Sequence, residues 1–245
     1  MGKEMVRRFG VARVTEHWVH IAGFFSLAAT GLCQKFYYID FCREFIMLSG
    51  GIDSLRLFHR WLGLFYGIVL LAHVAAGVVG LVFLRWQPSM LVLPSDFQNA
   101  ARNVRYYVGA ADSPARCGMY TYKQKFVYWL TLTGSAIMLL TGLVLWQPAA
   151  AASILSGQLI PAAKVMHSNH ALLIFLAIAL WHMYDSVFSP DVFPLDKSIF
   201  TGYISRERMR LEHPLVCETL NETHHGVVLQ EEKGHESDEP TDGDS

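Results

Sequence analysis

The chain has 245 residues, of which 52% are hydrophobic and 17% are charged, and its formal net charge is −1. A soluble domain usually carries about 25% charged residues, so the composition is typical of a membrane protein, and the charge gives no reason to expect a nucleic-acid partner. Four cysteines without CxxC or CxxCH spacing argue against a c-type haem, an iron–sulfur cluster or a zinc knuckle within the chain. Cys33 and Cys42 would pair only if their loop faces an oxidising compartment.

The chain opens on a polar, basic stretch, residues 1–16, which predicts a solvated anchor. Apolar sequence follows at about 17–36 and is long enough to cross a bilayer core of about 30 Å. It begins with His17 and Trp18, and a tryptophan at this position is typical of the membrane interface. His20, one turn further along, is predicted to pack or to form a hydrogen bond.

A second apolar span is predicted at about residues 57–86. His59 and His73 are 14 residues apart in it, which places them within about 40° of one helix face. Gly63 and Gly67 flank His59 on neighbouring turns. Small residues at such positions let a second helix or a flat macrocycle approach closely.

The internal segment 85–125 is polar and basic, and residues 94–108 within it are predicted to form an amphipathic surface helix. The third span, at about 126–146, contains neither a charge nor a histidine. Pro148 is predicted to end this span, and residues 149–164 are predicted to form a short loop.

The fourth span, at about residues 165–186, carries three imidazoles in a strongly apolar sequence: His167, His170 and His182. An ionisable ring in hydrocarbon is costly, so by default it faces the bundle interior and has a partner there. His167 and His182 are 15 residues apart, about 22 Å along a helix and about 60° around it. Two rings on one face near opposite membrane surfaces predict two stacked haems, each bound by one ring of this helix.

The membrane domain is predicted to comprise residues 1–214, and residues 215–245 turn acidic and are predicted to be a disordered tail. The three histidines of this tail are interpreted as solvated, namely His224, His225 and His235.

Basic residues predict the orientation of the spans. The N-terminal stretch, the 85–125 segment and the C-terminal segment together hold 15 of the 20 lysines and arginines. This asymmetry predicts four spans with both termini in the cytoplasm. Two level-matched histidine pairs result from this topology: His17 with His182 at the inner face, and His59 with His167 at the outer face. His73 competes with His17, and His170 competes with His167, although His170 lies about 120° around the helix from His182.

The same histidines without haem would suit a proton or metal transporter, which is the alternative class of function. Proton relays in membranes usually include carboxylates, and the apolar parts of the predicted spans contain no Asp or Glu. The sequence therefore favours a cytochrome over a transporter.

Several stretches resemble the cytochrome b (gamma) subunit of membrane-bound formate dehydrogenases, which is related to hydrogenase cytochrome b subunits. The resemblance runs from about Arg7 to Pro214 and rests on the order and spacing of its motifs. These motifs are His17-Trp18, LRLFHRWLG around His59, Gln124-Lys125 with Trp129, TGLVLWQP at 141–148, WHMY at 181–184, and TGYISRERM with EHP within 201–214.

The resemblance implies an all-α membrane protein, a bundle of four transmembrane helices that binds two b-type haems through paired histidines. It implies that His17 and His182 bind the inner haem, and that His59 and an outer histidine of the fourth span bind the other. In this family the fourth-span pair is 14 residues apart. Here His167 lies 15 residues and His170 lies 12 residues from His182, and the helix angle favours His167.

The resemblance also implies reduction of a quinone, menaquinone or ubiquinone, beside the inner haem by a short polar motif before the third span. Here that motif is YTYKQK, residues 120–125. Gln124 and Lys125 match the family, whereas Thr121 and Lys123 replace an amide and a glycine. Gln124, Lys125 and Thr121 are therefore the predicted quinone-binding residues.

The sequence as a whole predicts an electron-transfer subunit, multi-pass in a bacterial cytoplasmic (inner) membrane, with the catalytic subunit on another chain. An iron–sulfur partner attached to a formate-oxidising subunit would deliver electrons from the periplasm through two haems b to quinone. A hydrogenase or a multihaem cytochrome would also suit as the partner complex, since no residue of this chain selects among them.

Overall fold

A computed structural model describes residues 4–189, 192–193 and 195–218. Almost all of the regular structure is helical. The helices are α1 Val11–Lys35, α2 Asp40–Leu48, α3 Ile52–Val82, α4 Pro94–Tyr107, α5 Tyr122–Trp146, α6 Pro148–Ile154, α7 Leu159–Ala177, α8 Ser198–Thr201 and α9 Arg206–Glu212. Two π-helical segments, Ile178–His182 and Tyr184–Phe188, continue α7. Two short strands, β1 Met5–Arg7 and β2 Tyr203–Ser205, form a two-stranded sheet.

The chain divides into two compact units. The large unit comprises Arg7–Pro88 and Phe126–Tyr203, and the small unit comprises Met1–Val6, Ser89–Lys125 and Ile204–Ser245. All of the histidines predicted to bind haem lie in the large unit, whereas the residues predicted to bind quinone lie in the small unit.

Three helices of the described chain are long and apolar enough to cross a membrane: Ile52–Val82, Tyr122–Trp146 and Leu159–Phe188. They correspond to the predicted second, third and fourth spans. The predicted first span forms α1, whose 25 residues would reach about 37 Å. It is not among the apolar three because His17, His20 and Gln34 lower its mean hydropathy. It nevertheless packs along α3 and α7.

Large apolar side chains cover the outside of α3. On a soluble protein such a continuous apolar face would be a liability, whereas in a bilayer it faces lipid. The residues of this face are each more than half exposed: Leu57, Phe58, Trp61, Phe65, Ile68 and Leu71. Together with the length of the three apolar helices, this face identifies a membrane protein.

Small residues allow the helices of the large unit to approach closely. A Cβ at Gly23 on α1 would lie 2.5 Å from the ring of Tyr66 on α3, and a Cβ at Gly67 would lie 2.5 Å from Leu139 on α5. Neither contact leaves room for even a methyl group. Gly67 thus serves helix–helix packing, which is one of the two roles that the sequence allowed for it.

The N-terminal stretch is more ordered than the predicted solvated anchor. Residues 5–7 form β1, and α1 begins at Val11, so Glu16 is already inside a helix. Gly202 helps to order the N-terminal stretch, because its carbonyl oxygen accepts backbone hydrogen bonds from Arg8 N (2.7 Å) and Phe9 N (3.0 Å). Its φ is +83°, and a Cβ there would lie 2.7 Å from Phe9 O, so this turn requires glycine.

The end of the third span agrees with the prediction, but the following loop does not. Helix α5 ends at Trp146, and Pro148 is the first residue of α6. The predicted loop 149–164 contains α6 and the first turns of α7. A run of alanines favours helix, and proline is well tolerated at a first helical position, so the segment breaks the long helix without remaining irregular.

The predicted amphipathic helix at residues 94–108 is confirmed as α4 in the small unit. Asp96 caps it by accepting a hydrogen bond from Leu93 N at 2.7 Å. The same carboxylate accepts a bond from Lys125 Nζ at 2.8 Å, and the two side chains are only 10% and 9% exposed. His213, fully buried, donates from Nδ1 to Gly118 O at 2.6 Å.

The acidic tail was predicted to begin at residue 215, but residues 214–218 are helical. The rest of the predicted tail, with His224, His225 and His235, lies outside the described residues. Cys33 and Cys42 share one buried cluster with Ile46 and Leu55 and are free thiols there.

Candidate functional site

The large unit brings together both histidine pairs that the sequence predicts. His17 on α1 and His182 after α7 have ring centroids 6.2 Å apart, with their planes at 63°. His59 on α3 and His167 on α7 have ring centroids 6.4 Å apart, with their planes at 82°. Each pair therefore joins α7 or its π-helical continuation to a different neighbouring helix.

These separations can be compared with what a shared iron requires. At 6.2 Å and 6.4 Å the two rings of each pair are far enough apart to bind one metal ion between them through nitrogen bonds of about 2 Å. The residues present are therefore chemically suited to hold haem through paired imidazoles.

Each histidine of the outer pair forms a hydrogen bond through Nδ1 with a threonine hydroxyl. Thr30 Oγ1 lies 2.7 Å from His59 Nδ1, and Thr141 Oγ1 lies 2.9 Å from His167 Nδ1. Metal-binding histidines almost always use their second ring nitrogen in such a hydrogen bond, which fixes the orientation of the ring. In both histidines this leaves Nε2 as the nitrogen that can serve the shared site.

His170, the predicted competitor of His167, faces a different neighbour. A Cβ at Gly134 on α5 would lie 3.3 Å from His170 Nε2, and this buried nitrogen has no hydrogen-bond partner among the described residues. His59 lies opposite His167 instead. The geometry therefore favours His167 for the outer pair, and it gives no account of the unsatisfied nitrogen of His170.

His73, the predicted competitor for the inner site, belongs to a separate polar network. Its Nδ1 lies 2.5 Å from Glu16 Oε1, and its Nε2 lies 2.9 Å from Tyr128 Oη. His20 Nδ1 lies 3.2 Å from Tyr66 Oη, and its ring centroid is 6.1 Å from that of His73. Both ring nitrogens of His73 are thus engaged, which favours His17 as the partner of His182.

Sequence reasoning missed the carboxylate in this network. Glu16 was assigned to a polar anchor, although it lies one helical turn before His20, and such i, i+4 pairs lie on one helix face. Ligand atoms of Glu16, His20 and His73 all lie within 4.8 Å of one another, so these three side chains are also able to hold a metal ion. The network is the observation that most favours the alternative, haem-free class of function.

The π-helical segment bears on the 15-residue spacing between His167 and His182. In Ile178–His182 the backbone bonds span five residues, as when Met183 N donates to Ile178 O. A π-turn has more residues per turn than an α-helix, so each of its residues rotates the chain by a smaller angle. The segment can therefore hold an additional residue with little additional rotation of His182 about the helix axis. A regular α-helix would place His167 and His182 about 60° apart around its axis, and a π-turn between them acts to reduce this rotation.

The predicted quinone-binding residues have structural contacts in the small unit. Thr121 N donates to Gln124 Oε1 at 3.1 Å, and Gln124 N donates to Thr121 Oγ1 at 3.3 Å. This reciprocal pair is a capping box at the start of α5. Lys125 forms its buried ion pair with Asp96. These contacts explain an amide and a lysine at the membrane entrance without a quinone, so a role in quinone binding stays a prediction.

Apolar membrane helices that carry two facing pairs of imidazoles are consistent with a membrane cytochrome of the b class. The sequence profile of the prokaryotic cytochrome b561 family matches residues 8–192, and the chain belongs to this family. Membership implies that it binds haem b.

The chain is also similar to the formate dehydrogenase cytochrome b556(fdo) subunit of Escherichia coli strain K12. The two are 23% identical over 215 residues, which cover 86% of this chain and 93% of the relative. The corresponding subunits of E. coli strains O6:H1 and O157:H7 show the same identity and coverage.

Proposed function

We propose that the chain is the cytochrome b subunit of a respiratory formate dehydrogenase. In this role it carries electrons from a periplasmic iron–sulfur partner through two haems b to a quinone near the cytoplasmic face. The observation that carries the proposal is the pair of imidazole separations, 6.2 Å and 6.4 Å, within one helical unit. Formate oxidation itself would take place on another subunit.

His17 and His182 would hold the inner haem, and His59 and His167 would hold the outer one. When bound, the haems supply the one-electron chemistry, and the chain supplies axial ligands, orientation and burial. The rings come from α1, α3 and the α7 region, which pack together in the large unit. Both sites thus depend on one packed group of helices.

The proposed topology has four spans, with α1 as the first, and with both termini in the cytoplasm of a bacterium. Its support is the distribution of basic residues and the packing of α1 beside α3 and α7. In this orientation the site of His17 and His182 lies near the cytoplasmic face, and that of His59 and His167 lies near the periplasm.

The choice of partner rests on the relatives, which are named as formate dehydrogenase cytochrome subunits. A subunit of this kind would assemble with an iron–sulfur subunit and a catalytic subunit. The outer site would receive the electrons, because the iron–sulfur partner lies on the periplasmic side in the proposed topology.

Quinone, menaquinone or ubiquinone, would be reduced near the cytoplasmic face, with Gln124, Thr121 and Lys125 at its site. The basic residues of the 85–125 segment support a location of these side chains at the cytoplasmic face. The side-chain amide of Gln124 has the chemistry to hydrogen-bond a quinone carbonyl.

The test uses the complex purified from membranes through a tag on this chain. Formate should reduce a b-type absorption band with two haems per subunit, and added quinone should reoxidise it. A complex without any b-type band would overturn the cytochrome assignment and leave the haem-free transporter. A b-type band reduced by hydrogen but not by formate would reassign the partner to a hydrogenase.

A further inference from the structure

We propose that Thr30 and Thr141 are positioning residues that present the Nε2 atoms of His59 and His167 to the outer haem iron. The inference rests on the proposed function, since it takes His59 and His167 as the outer ligands. It adds two residues, one on α1 and one on α5, that would set the properties of the outer site without touching the haem.

The same dipeptide faces each outer histidine. Thr30-Gly31 on α1 lies against His59, and Thr141-Gly142 on α5 lies against His167. The hydroxyl-to-Nδ1 distances are 2.7 Å and 2.9 Å. The two dipeptides lie on different helices, so each outer histidine has its own threonine and glycine.

The direction of each hydrogen bond follows from the single proton of a hydroxyl group. Thr30 Oγ1 donates to Ser26 O at 2.8 Å, and Thr141 Oγ1 donates to Ile137 O at 2.7 Å. With that proton committed, the oxygen can only accept from the imidazole. The Nδ1 atoms of His59 and His167 therefore carry the protons, and their Nε2 atoms keep the lone pairs that bind a metal.

The glycine of each dipeptide makes room for the ring. A Cβ at Gly31 would lie 3.2 Å from His59 Cε1, and a Cβ at Gly142 would lie 3.2 Å from His167 Cε1. Contacts this short would push the imidazole away from its hydroxyl partner. The threonine thus fixes the tautomer and the rotation of the ring, and the glycine lets the ring approach.

The inner pair lacks this arrangement. Within the described residues, neither His17 nor His182 has a threonine hydroxyl as a hydrogen-bond partner. Substitutions of the threonines should therefore act on one haem and leave the other as an internal reference.

The chain also contains a matched control. Thr133-Gly134 on α5 has the same sequence, and Thr133 Oγ1 donates to Trp129 O at 2.7 Å in the same way. Its hydroxyl, however, has no imidazole partner among the described residues. A change at Thr133 therefore reports what the loss of a helix-bonded hydroxyl does by itself.

The experiment compares Thr30→Val, Thr141→Val, Thr30→Ser and Thr133→Val in the purified complex, by redox titration and low-temperature electron paramagnetic resonance. Loss of the acceptor makes the imidazole a weaker donor and lets it rotate. Both threonine-to-valine variants at the outer site should raise the midpoint potential of the outer haem, change its low-spin signal, and weaken its retention by about 10-fold or more. Thr30→Ser should restore all three properties, and Thr133→Val should match the wild type.

Three outcomes would overturn the inference. The first is an unchanged potential and signal in both outer-site valine variants. The second is an equal change in Thr133→Val, which would show a general effect on the helix. The third is failure of Thr30→Ser to restore the signal. His59→Ala tests the ligand assignment separately from the role of the threonines. If this variant keeps both haems, the assignment of His59 as a ligand is wrong, whatever the threonine variants do.

Discussion

His73 Nδ1 lies 2.5 Å from Glu16 Oε1, and this contact joins α3 to the first turns of α1 inside the helical unit. The other ring nitrogen of His73 lies 2.9 Å from Tyr128 Oη on α5. A histidine whose two ring nitrogens contact a carboxylate and a phenol on two other helices stabilises the packing of all three helices. It is poorly placed to bind a haem iron as well, because both of its nitrogens are in use.

The first prediction follows directly from this contact. His73→Ala should leave two haems per subunit, because Glu16 and Tyr128 already engage both ring nitrogens of His73. It should also lower the thermal stability of the subunit, since Glu16 and Tyr128 lose a half-buried hydrogen-bond partner, at a cost of about 1 kcal/mol for each bond. Haem content by the pyridine haemochrome assay and a melting curve check the two parts. Loss of the inner haem would make His73 the ligand in place of His17.

The second prediction concerns the two pairs. His59→Ala and His182→Ala should each remove one haem, and a different one, because the rings belong to separate sites. Redox titration of the remaining haem distinguishes the two variants. His170→Ala provides the control, as this ring faces Gly134 and should leave both haems bound. Two haems in either of the first two variants would contradict the pairing.

The third prediction separates the structural and quinone roles of Gln124. Gln124→Glu keeps an oxygen that can accept from Thr121 N, and so keeps the capping box, but it loses the amide donor. If Gln124 binds quinone, Gln124→Glu should slow reoxidation of the haems by quinone while their reduction by formate stays normal. Helix content and haem content control for folding.

The outcome of the third experiment decides between two explanations of the motif. Normal reoxidation in Gln124→Glu, together with loss of stability in Gln124→Ala, would restrict this residue to capping. Loss of the cap typically costs about 1 kcal/mol, which a melting curve detects.

The fourth prediction concerns orientation. A reporter that is active only in the cytoplasm should be active when fused after Ser245. The same reporter should be inactive when it is inserted between α6 and α7, in residues 155–158. Positive charge near the N-terminus and α4 gives the physical reason. The opposite pattern would place the site of His59 and His167 at the cytoplasmic face and would overturn the proposed direction of electron entry.

The fifth prediction tests the packing of the small unit. Burial, and next the nearby Asp96 carboxylate, raise the pKa of the Cys117 thiol above its ordinary value. A raised pKa keeps the thiol neutral at pH 7 to 8, and only the thiolate is a good nucleophile. Cys117 should therefore react with maleimide much more slowly than the half-buried Cys217, and its rate should rise only at more alkaline pH. Equal rates for both thiols would refute the buried position of Cys117.

Much of the fold was predictable because it depends on local properties of the sequence. The apolar spans on α3, α5 and α7 follow from the length and composition of each segment alone. Pro148 ends α5 because proline cannot continue a helix. The error at residues 149–164 has a similarly local cause, since a run of alanines after a proline was taken for a loop although it is a good helix former.

The histidines were predictable as a set, because an imidazole in hydrocarbon needs a partner and only a few were present at each level. What the sequence by itself determined is therefore the membrane class, the long helices and the candidate ligands. The tertiary structure decided which rings meet. Whether His167 or His170 faces His59 depends on the rotation of α7 about its axis, and that rotation depends on the packing of α7 against α1 and α5. The roles of Thr30, Thr141 and Glu16 were out of reach for the same reason, since each of these side chains meets its histidine on another helix, at least 26 residues away in sequence.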